Sequence, residues 1–348
     1  MRHPARLYRA LIKSLVVGAV LLLGLPACGS PEFDGTAATT RTTTTEPEPI
    51  TMTPPVTTRP RPAPSARPPV PDPPASDPGP PPLQKVSYGP DSAHQIDIHR
   101  PASPNGLAVL WLHSGGWTSG TRTEAGPVVD HLCETGAIVF SADFRLMPEH
   151  TFPAQIHDVK RAIRYLKANR AEFPFEALIV AGGSSGGHLA ALAATSAGDL
   201  EPPDLPRDLA AQDSTVDGAV SLSGIMDLTR FWTADNGWAK PLSDGFLDCD
   251  SATCDQTLMR RASPTYWVDV NDPPLFLVAG AGDTLVTPAD NADRMWAAME
   301  ERGAPGRCWY DLLEQAEHMI YEDFDPVRVE QFLIHFGLLD LPTLPPDV

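Results

Sequence analysis

Residues 177–190 read Ala-Leu-Ile-Val-Ala-Gly-Gly-Ser-Ser-Gly-Gly-His-Leu-Ala. The stretch starts as a short apolar run typical of a buried strand, turns through glycine and serine, and continues as a helix that we predict over Gly187–Ser196. A G-x-S-x-G turn between a strand and a helix holds a serine nucleophile in a bend too tight for bulky neighbours. The helix that follows favours a developing anion, because its N-terminus carries partial positive charge.

The G-x-S-x-G pattern fits this stretch in two registers, with either Ser184 or Ser185 as the central serine. Ser184 directly follows the predicted strand Ala177–Ala181, so we assign it as the nucleophile. Ser185 then supplies a backbone N–H to the oxyanion. Two alternatives remain: Ser185 is the nucleophile, or the stretch is a plain glycine-rich turn.

Around this stretch, apolar runs alternate with segments of helical periodicity, which predicts one α/β domain over residues 83–341. Such alternation favours a mostly parallel central sheet with helices on both faces. The predicted strands are Val86–Tyr88, Gln95–Arg100, Leu107–Leu112, Ala137–Ala142, Ala177–Ala181, Gly218–Leu222, Leu275–Ala279 and Cys308–Leu312. The predicted helices are Gly126–Glu134, Ala154–Asn169, Gly187–Ser196, Ala289–Arg302 and Asp325–Gly337.

Three further predicted strands are each followed by residues that could take part in catalysis. These residues lie at the edge of the sheet where ligands bind in parallel sheets. Gly115 and Gly116 follow strand Leu107–Leu112, and glycine there lets backbone N–H groups face a substrate oxyanion. Asp283 and His318 follow the last two predicted strands, so that the order Ser, Asp, His is the one an elbow serine requires. In this arrangement His318 takes the serine proton and Asp283 holds the imidazole. Each of these residues, taken singly, is also compatible with an ordinary loop.

These segments together resemble the α/β-hydrolase superfamily, near the hormone-sensitive-lipase-like carboxylesterases and the related acetylesterase, feruloyl-esterase and kynurenine-formamidase-like enzymes. Residues 113–117 are similar to the His-Gly-Gly-Gly-Trp loop of that group, with Ser114 in place of the first glycine. Residues 143–149, Asp-Phe-Arg-Leu-Met-Pro-Glu, resemble its Asp-Tyr-Arg-Leu-x-Pro-Glu stretch. The elbow matches Gly-x-Ser-x-Gly-Gly in the register that makes Ser184 the nucleophile, and Ser263-Pro264 before Pro273-Pro274 also matches.

The resemblance implies an α/β-hydrolase fold and a serine carboxylesterase that acts on small acyl esters without a metal or an organic cofactor. It implies a triad of Ser184, Asp283 and His318, with an oxyanion hole formed by the N–H groups of Gly115, Gly116 and Ser185. An arylformamidase or amidase would use the same residues, because the difference lies in the shape of the pocket. A catalytically inactive binding domain is the remaining alternative, and the intact Ser, Asp and His disfavour it.

The first residues have the layout of an export signal. Basic residues up to Lys13 precede the apolar stretch Leu15–Leu25, which is short for a membrane span. Residues 25–28 read Leu-Pro-Ala-Cys and resemble a bacterial lipoprotein signal, in which the cysteine is lipidated. We therefore expect a signal peptide over residues 1–27, a lipid on Cys28, and a protein anchored to the outer face of the bacterial cell membrane. Ordinary cleavage, with Cys28 unmodified, is the alternative.

Residues 28–82 are a Pro/Thr-rich segment that we expect to be a disordered linker. Between Pro31 and Pro82 there are 17 proline and 11 threonine residues, and the aromatic content is Phe33 alone. Such a composition buries too little apolar surface to offset the entropy of ordering. The segment is either a spacer between membrane and domain or a tolerated insert, and residues 342–348 are a short tail.

The net charge of the chain limits the molecules that it could bind by electrostatic attraction. The formal net charge of −18 argues against nucleic acid or anionic headgroups held by charge. In an exported domain, the close spacing of Cys249 and Cys254 predicts a small disulfide loop, and we expect Cys133 and Cys308 to be buried and reduced.

Residues 227–263 show no clear periodicity and carry several aromatic side chains. We expect this insertion to lie above the catalytic end of the sheet and to form one wall of the acyl or alcohol pocket. The alternative is that its aromatic side chains only pack the segment onto the domain.

Overall fold

The computed structural model describes residues 84–340, except 125, 235–236 and 304. The predicted signal peptide over residues 1–27, the lipidation site Cys28, the linker over residues 28–82 and the tail over residues 342–348 lie outside the described residues. Within the described ranges, no helix is both long enough and apolar enough to cross a lipid bilayer.

The described residues form one eight-stranded sheet in the order β1-β2-β4-β3-β5-β6-β7-β8. β2 pairs antiparallel with β1 and β4, and all other neighbours pair in parallel. The prediction of a mostly parallel sheet is therefore confirmed. The strands are β1 (Gln84–Ser87), β2 (Gln95–His99), β3 (Leu107–Leu112), β4 (Ile138–Ala142), β5 (Ala177–Gly183), β6 (Gly218–Leu222), β7 (Leu275–Gly280) and β8 (Cys308–Leu313).

Helices cover both faces of the sheet, which explains why the inner strands are buried and mostly apolar. α2, α3 and α8 share one core cluster, whereas α1 and α9 share a second cluster on the opposite face. The helices are α1 (Gly126–Glu134), α2 (Ala154–Ala168), α3 (Ser185–Thr195), α4 (Arg207–Ala210), α5 (Leu228–Phe231), α6 (Ala239–Leu247), α7 (Gln256–Arg261), α8 (Ala292–Arg302) and α9 (Val327–His335).

The connections of β3 and β5 leave the sheet in opposite directions. From β3 the chain passes through α1 to β4, and from β5 it passes through α3 to β6 on the other side. Adjacent parallel strands whose connections diverge leave a crevice at their carboxyl ends, where ligands bind in such sheets. The loop after β3 and the turn after β5 both lie at this crevice.

The segment between β6 and β7 differs from the sequence prediction, which found no helix or strand there. It contains α5, α6 and α7. α5 and α7 span only 4 and 6 residues, too few for helical periodicity to show, although both begin with a recognisable cap. The side chains of Asp227 and Asp255 accept hydrogen bonds from the N–H groups of Thr229 and Thr257 in the first turns of α5 and α7.

Candidate active site

Ser184 lies in the bend between β5 and α3 in a conformation that few residues adopt. Its φ is 50° and its ψ is −115°, far from the ordinary regions for a residue with a side chain. The surrounding backbone holds it there, because its N–H donates to Leu222 O (2.8 Å) and its carbonyl accepts from His188 N (2.9 Å). Backbone strain of this kind is stored at functional sites and turns the side chain out of the strand.

The glycine at position 186 is explained by close packing of α3 against the end of β3. A Cβ atom on Gly186 would lie 2.2 Å from the carbonyl oxygen of Leu112 and 2.6 Å from that of His113. A side chain there would force the first turn of α3 away from β3. The glycine therefore brings the N-terminus of α3 next to the loop that follows β3.

The structure brings Ser184, His318 and Asp283 together, although they are far apart in the chain. His318 Nε2 lies 3.0 Å from Ser184 Oγ, and His318 Nδ1 lies 2.7 Å from Asp283 Oδ2. The Asp283 side chain is fully buried, whereas 16% of the His318 side chain is exposed. The imidazole thus bridges a buried carboxylate and a hydroxyl at the edge of the sheet.

Two backbone groups that the sequence analysis did not identify orient the Asp283 carboxylate. The N–H groups of Leu285 and Val286 donate to Asp283 Oδ1 at 2.9 Å and 2.8 Å. The local signal was an aspartate at the start of a turn, where Asp side chains commonly accept from the following N–H groups. With Oδ1 occupied, Oδ2 faces His318. The carboxylate accepts from Nδ1–H, which leaves Nε2 as the acceptor for the serine proton.

The loop after β3 offers the backbone donors expected of an oxyanion hole. Gly115 has φ 118° and Gly116 has φ 60°. Among the backbone hydrogen bonds of the described residues, the N–H groups of these two glycines have no acceptor. Ser185 is the first residue of α3, so its N–H has no acceptor within the helix either.

His113 and Trp117 hold this loop in place from both ends. His113 Nδ1 donates to Ser114 O (2.7 Å), and its ring stacks on Phe144 at a centroid distance of 4.3 Å. Burial lowers the pKa of His113, which keeps the ring neutral. Trp117 is fully buried and stacks on Phe246 of α6 at 4.2 Å.

Residues 227–263 pack onto the domain and also reach the loop after β3. The aromatic rings of Phe231 and Phe246 are buried and pack the segment onto the domain. Leu242, one turn before Phe246 on α6, instead reaches the loop after β3. A Cβ atom on Gly116 would lie 3.0 Å from Leu242 Cδ2. This leucine therefore covers the glycine loop, while 37% of Trp238 is exposed at the start of α6.

The cysteines fall into two groups. Cys249 and Cys254 form a disulfide bond with a Cα–Cα distance of 5.6 Å, just after α6. Cys133 and Cys308 carry free thiols, but the expectation that both are buried is wrong, since both are partly exposed. Cys133 lies in the last turn of α1, and Cys308 lies on β8, the last strand in the order of the sheet that the described residues form.

Other polar residues near the site have structural partners. The Asp158 carboxylate accepts from Arg145 Nη2 (2.6 Å) and contacts His94 Nε2 (2.9 Å), which lowers the pKa of Asp158 despite its burial. His188 Nε2 lies 2.8 Å from Ala262 O, and complete burial lowers the pKa of His188 to about 4. In the part of the chain that the structure describes, no three His, Cys, Asp or Glu side chains are arranged to hold a metal ion.

Comparison with known sequences places the chain near bacterial esterases. The family model BD-FAE matches residues 96–297. "Probable carboxylic ester hydrolase LipM" of Mycobacterium tuberculosis is 32% identical over 209 residues, which are 58% of this chain and 48% of that protein. "Esterase LipQ" of the same organism is 33% identical over 243 residues, 67% of this chain and 56% of that protein. The chain thus spans about half the length of these curated relatives.

Solved structures share the fold at lower sequence identity. A truncated carbohydrate esterase from gut microbiota superposes with a TM-score of 0.62 at 23% identity, covering 73% of this chain and 93% of that one. Esterase Est2 of the planctomycete Thermogutta terrifontis superposes with a TM-score of 0.62 at 21% identity, covering 75% of this chain and 95% of that one.

Proposed function

Because the chain belongs to the BD-FAE family and has the α/β-hydrolase fold, we propose that it is a serine carboxylesterase that hydrolyses small acyl esters. The observation that carries the proposal is the position of His318 between Ser184 Oγ (3.0 Å) and Asp283 Oδ2 (2.7 Å). A hydroxyl, an imidazole and a carboxylate in this order form an activated nucleophile. The relatives named as esterases add support from outside the structure.

In the first half of the reaction, Ser184 Oγ attacks the ester carbonyl carbon while its proton passes to His318 Nε2. The carbonyl oxygen becomes an anion, which accepts hydrogen bonds from the N–H groups of Gly115, Gly116 and Ser185. Asp283 stabilises the imidazolium and does not take its proton. When the tetrahedral intermediate collapses, His318 gives the proton to the leaving alcohol and an acyl group remains on Ser184.

In the second half, water replaces the alcohol. His318 Nε2 accepts a proton from the water as it attacks the acyl carbonyl, and the same N–H groups hold the second oxyanion. When the second tetrahedral intermediate collapses, His318 gives its proton to Ser184 Oγ and the carboxylic acid is released. Ser184 forms and loses the covalent bond to the acyl group, and the residues around it provide the proton transfers and the charge stabilisation that both halves need.

The direct test is hydrolysis of p-nitrophenyl acetate and butyrate by the full chain and by S184A. We expect S184A to lose on the order of 10⁶ in kcat while it remains folded. S185A is the matched control, because it removes a neighbouring hydroxyl and keeps the backbone N–H. Retention of activity in S184A together with its loss in S185A would show that the nucleophile is the other serine.

Two further assays separate the alternatives. Parallel rates on acetyl esters and on N-formyl aromatic amines measure the preference for an oxygen or a nitrogen leaving group, which distinguishes an esterase from an arylformamidase. A fluorophosphonate probe labels an activated serine, so the absence of label on Ser184 would favour a binding domain without catalysis.

We also propose that the protein is exported and anchored to the outer face of the cell membrane through lipid on Cys28. The apolar stretch Leu15–Leu25 followed by Ala27-Cys28 supports this proposal. Several acyl chains on one cysteine hold a protein to a bilayer, at about 0.8 kcal/mol per buried CH₂. Mass spectrometry of the mature N-terminus, with C28A as the control, tests it. A cytosolic protein that retains Met1 and an unmodified Cys28 would contradict it.

A further inference from the structure

Three residues around the elbow have no role in the chemistry proposed above. Ser114 stands where the esterases that the chain resembles carry glycine. Gly183 occupies the position before the nucleophile, which the G-x-S-x-G pattern leaves open to any residue. Tyr321 follows His318 by three residues, in the short 3₁₀ turn Ile320–Glu322. The local patterns explain none of these three choices.

The structure explains them together. Tyr321 Oη and Ser114 Oγ form a hydrogen bond of 2.8 Å between segments 207 residues apart. Both hydroxyls lie against Gly183. A Cβ atom on this glycine would be 1.8 Å from Tyr321 Oη and 2.8 Å from Ser114 Oγ. The pair of hydroxyls therefore fills the space that a side chain at position 183 would need.

Each partner of this bond is tied to a group of the proposed active site. Ser114 directly precedes Gly115 and Gly116, and Tyr321 lies three residues after His318, in the 3₁₀ turn that follows it. Gly183, which both hydroxyls contact, directly precedes Ser184. One hydrogen bond thus connects the segment that carries the oxyanion donors with the segment that carries the imidazole, across the residue before the nucleophile.

The Tyr321 hydroxyl stays protonated under ordinary conditions. Burial raises the pKa of Tyr321, and the negative charge of Glu124 raises it further, while the hydrogen bond with Ser114 acts in the opposite direction. A neutral phenol can donate to Ser114 Oγ at neutral pH. The connection is therefore present during turnover.

On the basis of the proposed esterase function, we propose that Tyr321 is a positioning residue that acts through Ser114. Its hydrogen bond fixes the loop of Gly115 and Gly116 relative to Ser184 and His318. A loosened loop would bind the neutral ester as before, because the oxyanion forms only in the transition state. The bond should therefore act on kcat and leave KM nearly unchanged.

The test starts from Y321F, which removes the hydroxyl and keeps the ring. The usual net contribution of one hydrogen bond corresponds to about a 2- to 12-fold change in rate. We expect kcat for p-nitrophenyl acetate to fall within this range, with KM changed by less than about twofold. Y310F is the matched control. It removes a hydroxyl that donates to Asp293 at 2.7 Å, on a surface formed by α8 and β8, and it should leave kcat unchanged.

S114A and the double variant S114A/Y321F identify the bond as the cause. If the two hydroxyls act through one interaction, each single change causes the same loss, and the double variant loses no more than either. Losses that multiply would mean that the two residues act separately and would overturn the proposal. Thermal unfolding of all four variants reports any loss of stability, which a purely structural role would produce together with an unchanged kcat at low temperature.

The outcomes separate this inference from the proposed function. A wild-type chain without ester hydrolysis, or an active S184A, contradicts the proposed function itself. A wild-type chain that hydrolyses esters through Ser184 while Y321F behaves like Y310F contradicts the role of Tyr321 alone. A rise in KM without a fall in kcat in Y321F would also overturn it, because the bond would then act on substrate binding.

Discussion

Replacing Asp283 with asparagine should inactivate the protein without unfolding it. Oδ1 of Asp283 accepts from the N–H groups of Leu285 (2.9 Å) and Val286 (2.8 Å), so this position requires an oxygen atom. In D283N the amide oxygen must take that place, and the amide nitrogen must take the place of Oδ2. The nitrogen then lies about 2.7 Å from His318 Nδ1, where the carboxylate oxygen was.

Two donors would then face each other, and the imidazole resolves the conflict by changing its tautomer. Nδ1 becomes the acceptor and Nε2 carries the proton, so Nε2 can no longer accept from Ser184 Oγ at 3.0 Å. A wrong tautomer of this kind lowers kcat by about 10⁴ in a Ser-His-Asp triad. Asparagine has the shape of aspartate and keeps both backbone hydrogen bonds, so the fold should persist.

The assay is the rate of hydrolysis of p-nitrophenyl acetate at neutral pH, with far-UV circular dichroism to verify the fold. D272N is the matched control. Asp272 is also buried and accepts from a backbone N–H, that of Asp269 at 2.9 Å. It precedes β7, whereas Asp283 follows it, so the two residues lie at opposite ends of the same strand.

We expect D272N to retain the wild-type kcat and D283N to lose about 10⁴ of it, with KM little changed. The reasoning fails if folded D283N keeps kcat within about tenfold of the wild type. Such a result would mean that the imidazole finds its working tautomer without the carboxylate.

Three further results follow from the contacts in the structure. L242A should raise the ratio of octanoate to acetate hydrolysis by about tenfold, because this leucine covers Gly116. An unchanged ratio would exclude Leu242 as a wall of the pocket. Burial raises the pKa of Asp272 to about 7 in the folded protein. As pH rises, the unfolded chain therefore loses the Asp272 proton at a lower pH than the folded protein does. The free energy of unfolding should fall as pH rises from about 4 to about 7. In urea unfolding D272N should lack this part of the fall, and parallel curves for both proteins would contradict the assignment. C249S/C254S should lower the free energy of unfolding by about 2 kcal/mol, because the disulfide no longer closes the short loop in the unfolded chain. Reduction of this disulfide in the wild type should have the same effect. Equal midpoints under non-reducing conditions would contradict this estimate.

Where local pattern and burial coincide, the sequence predicted the elements well. Strands Leu107–Leu112 and Gly218–Leu222 and helix Gly126–Glu134 have the predicted bounds. Both strands are buried along their whole length in the middle of a sheet that helices cover on both faces, and apart from Ser221 they carry no polar side chain. Burial and strand formation therefore favour the same kinds of residue at these positions. Turn residues then mark where the strands end. For this reason the four loops with candidate catalytic residues, after β3, β5, β7 and β8, could be predicted.

Prediction failed where a distant partner determines the local conformation. The helix predicted from Ala289 begins at Ala292, after a 3₁₀ turn over Pro288–Asp290. The side-chain oxygen of Asn291 accepts from Met226 N at 2.9 Å. This contact with the segment after β6 holds Asn291 at φ −130°, outside the helical region. Helical periodicity in residues 289–302 carries no information about that partner.

The amino-acid sequence alone determined which loops end the strands and which residue types they carry, because strand periodicity, turns and residue chemistry are local properties. Only the tertiary structure decided that Ser184, and not the fully buried Ser185, faces His318 Nε2. Neighbouring residues of a tight bend point in different directions, and both registers satisfy the same pattern. The contact between Tyr321 and Ser114 likewise depends on how the loops after β3 and β8 pack over Gly183. Distances between segments more than a hundred residues apart follow from the packing of the whole sheet, which local spacing does not encode.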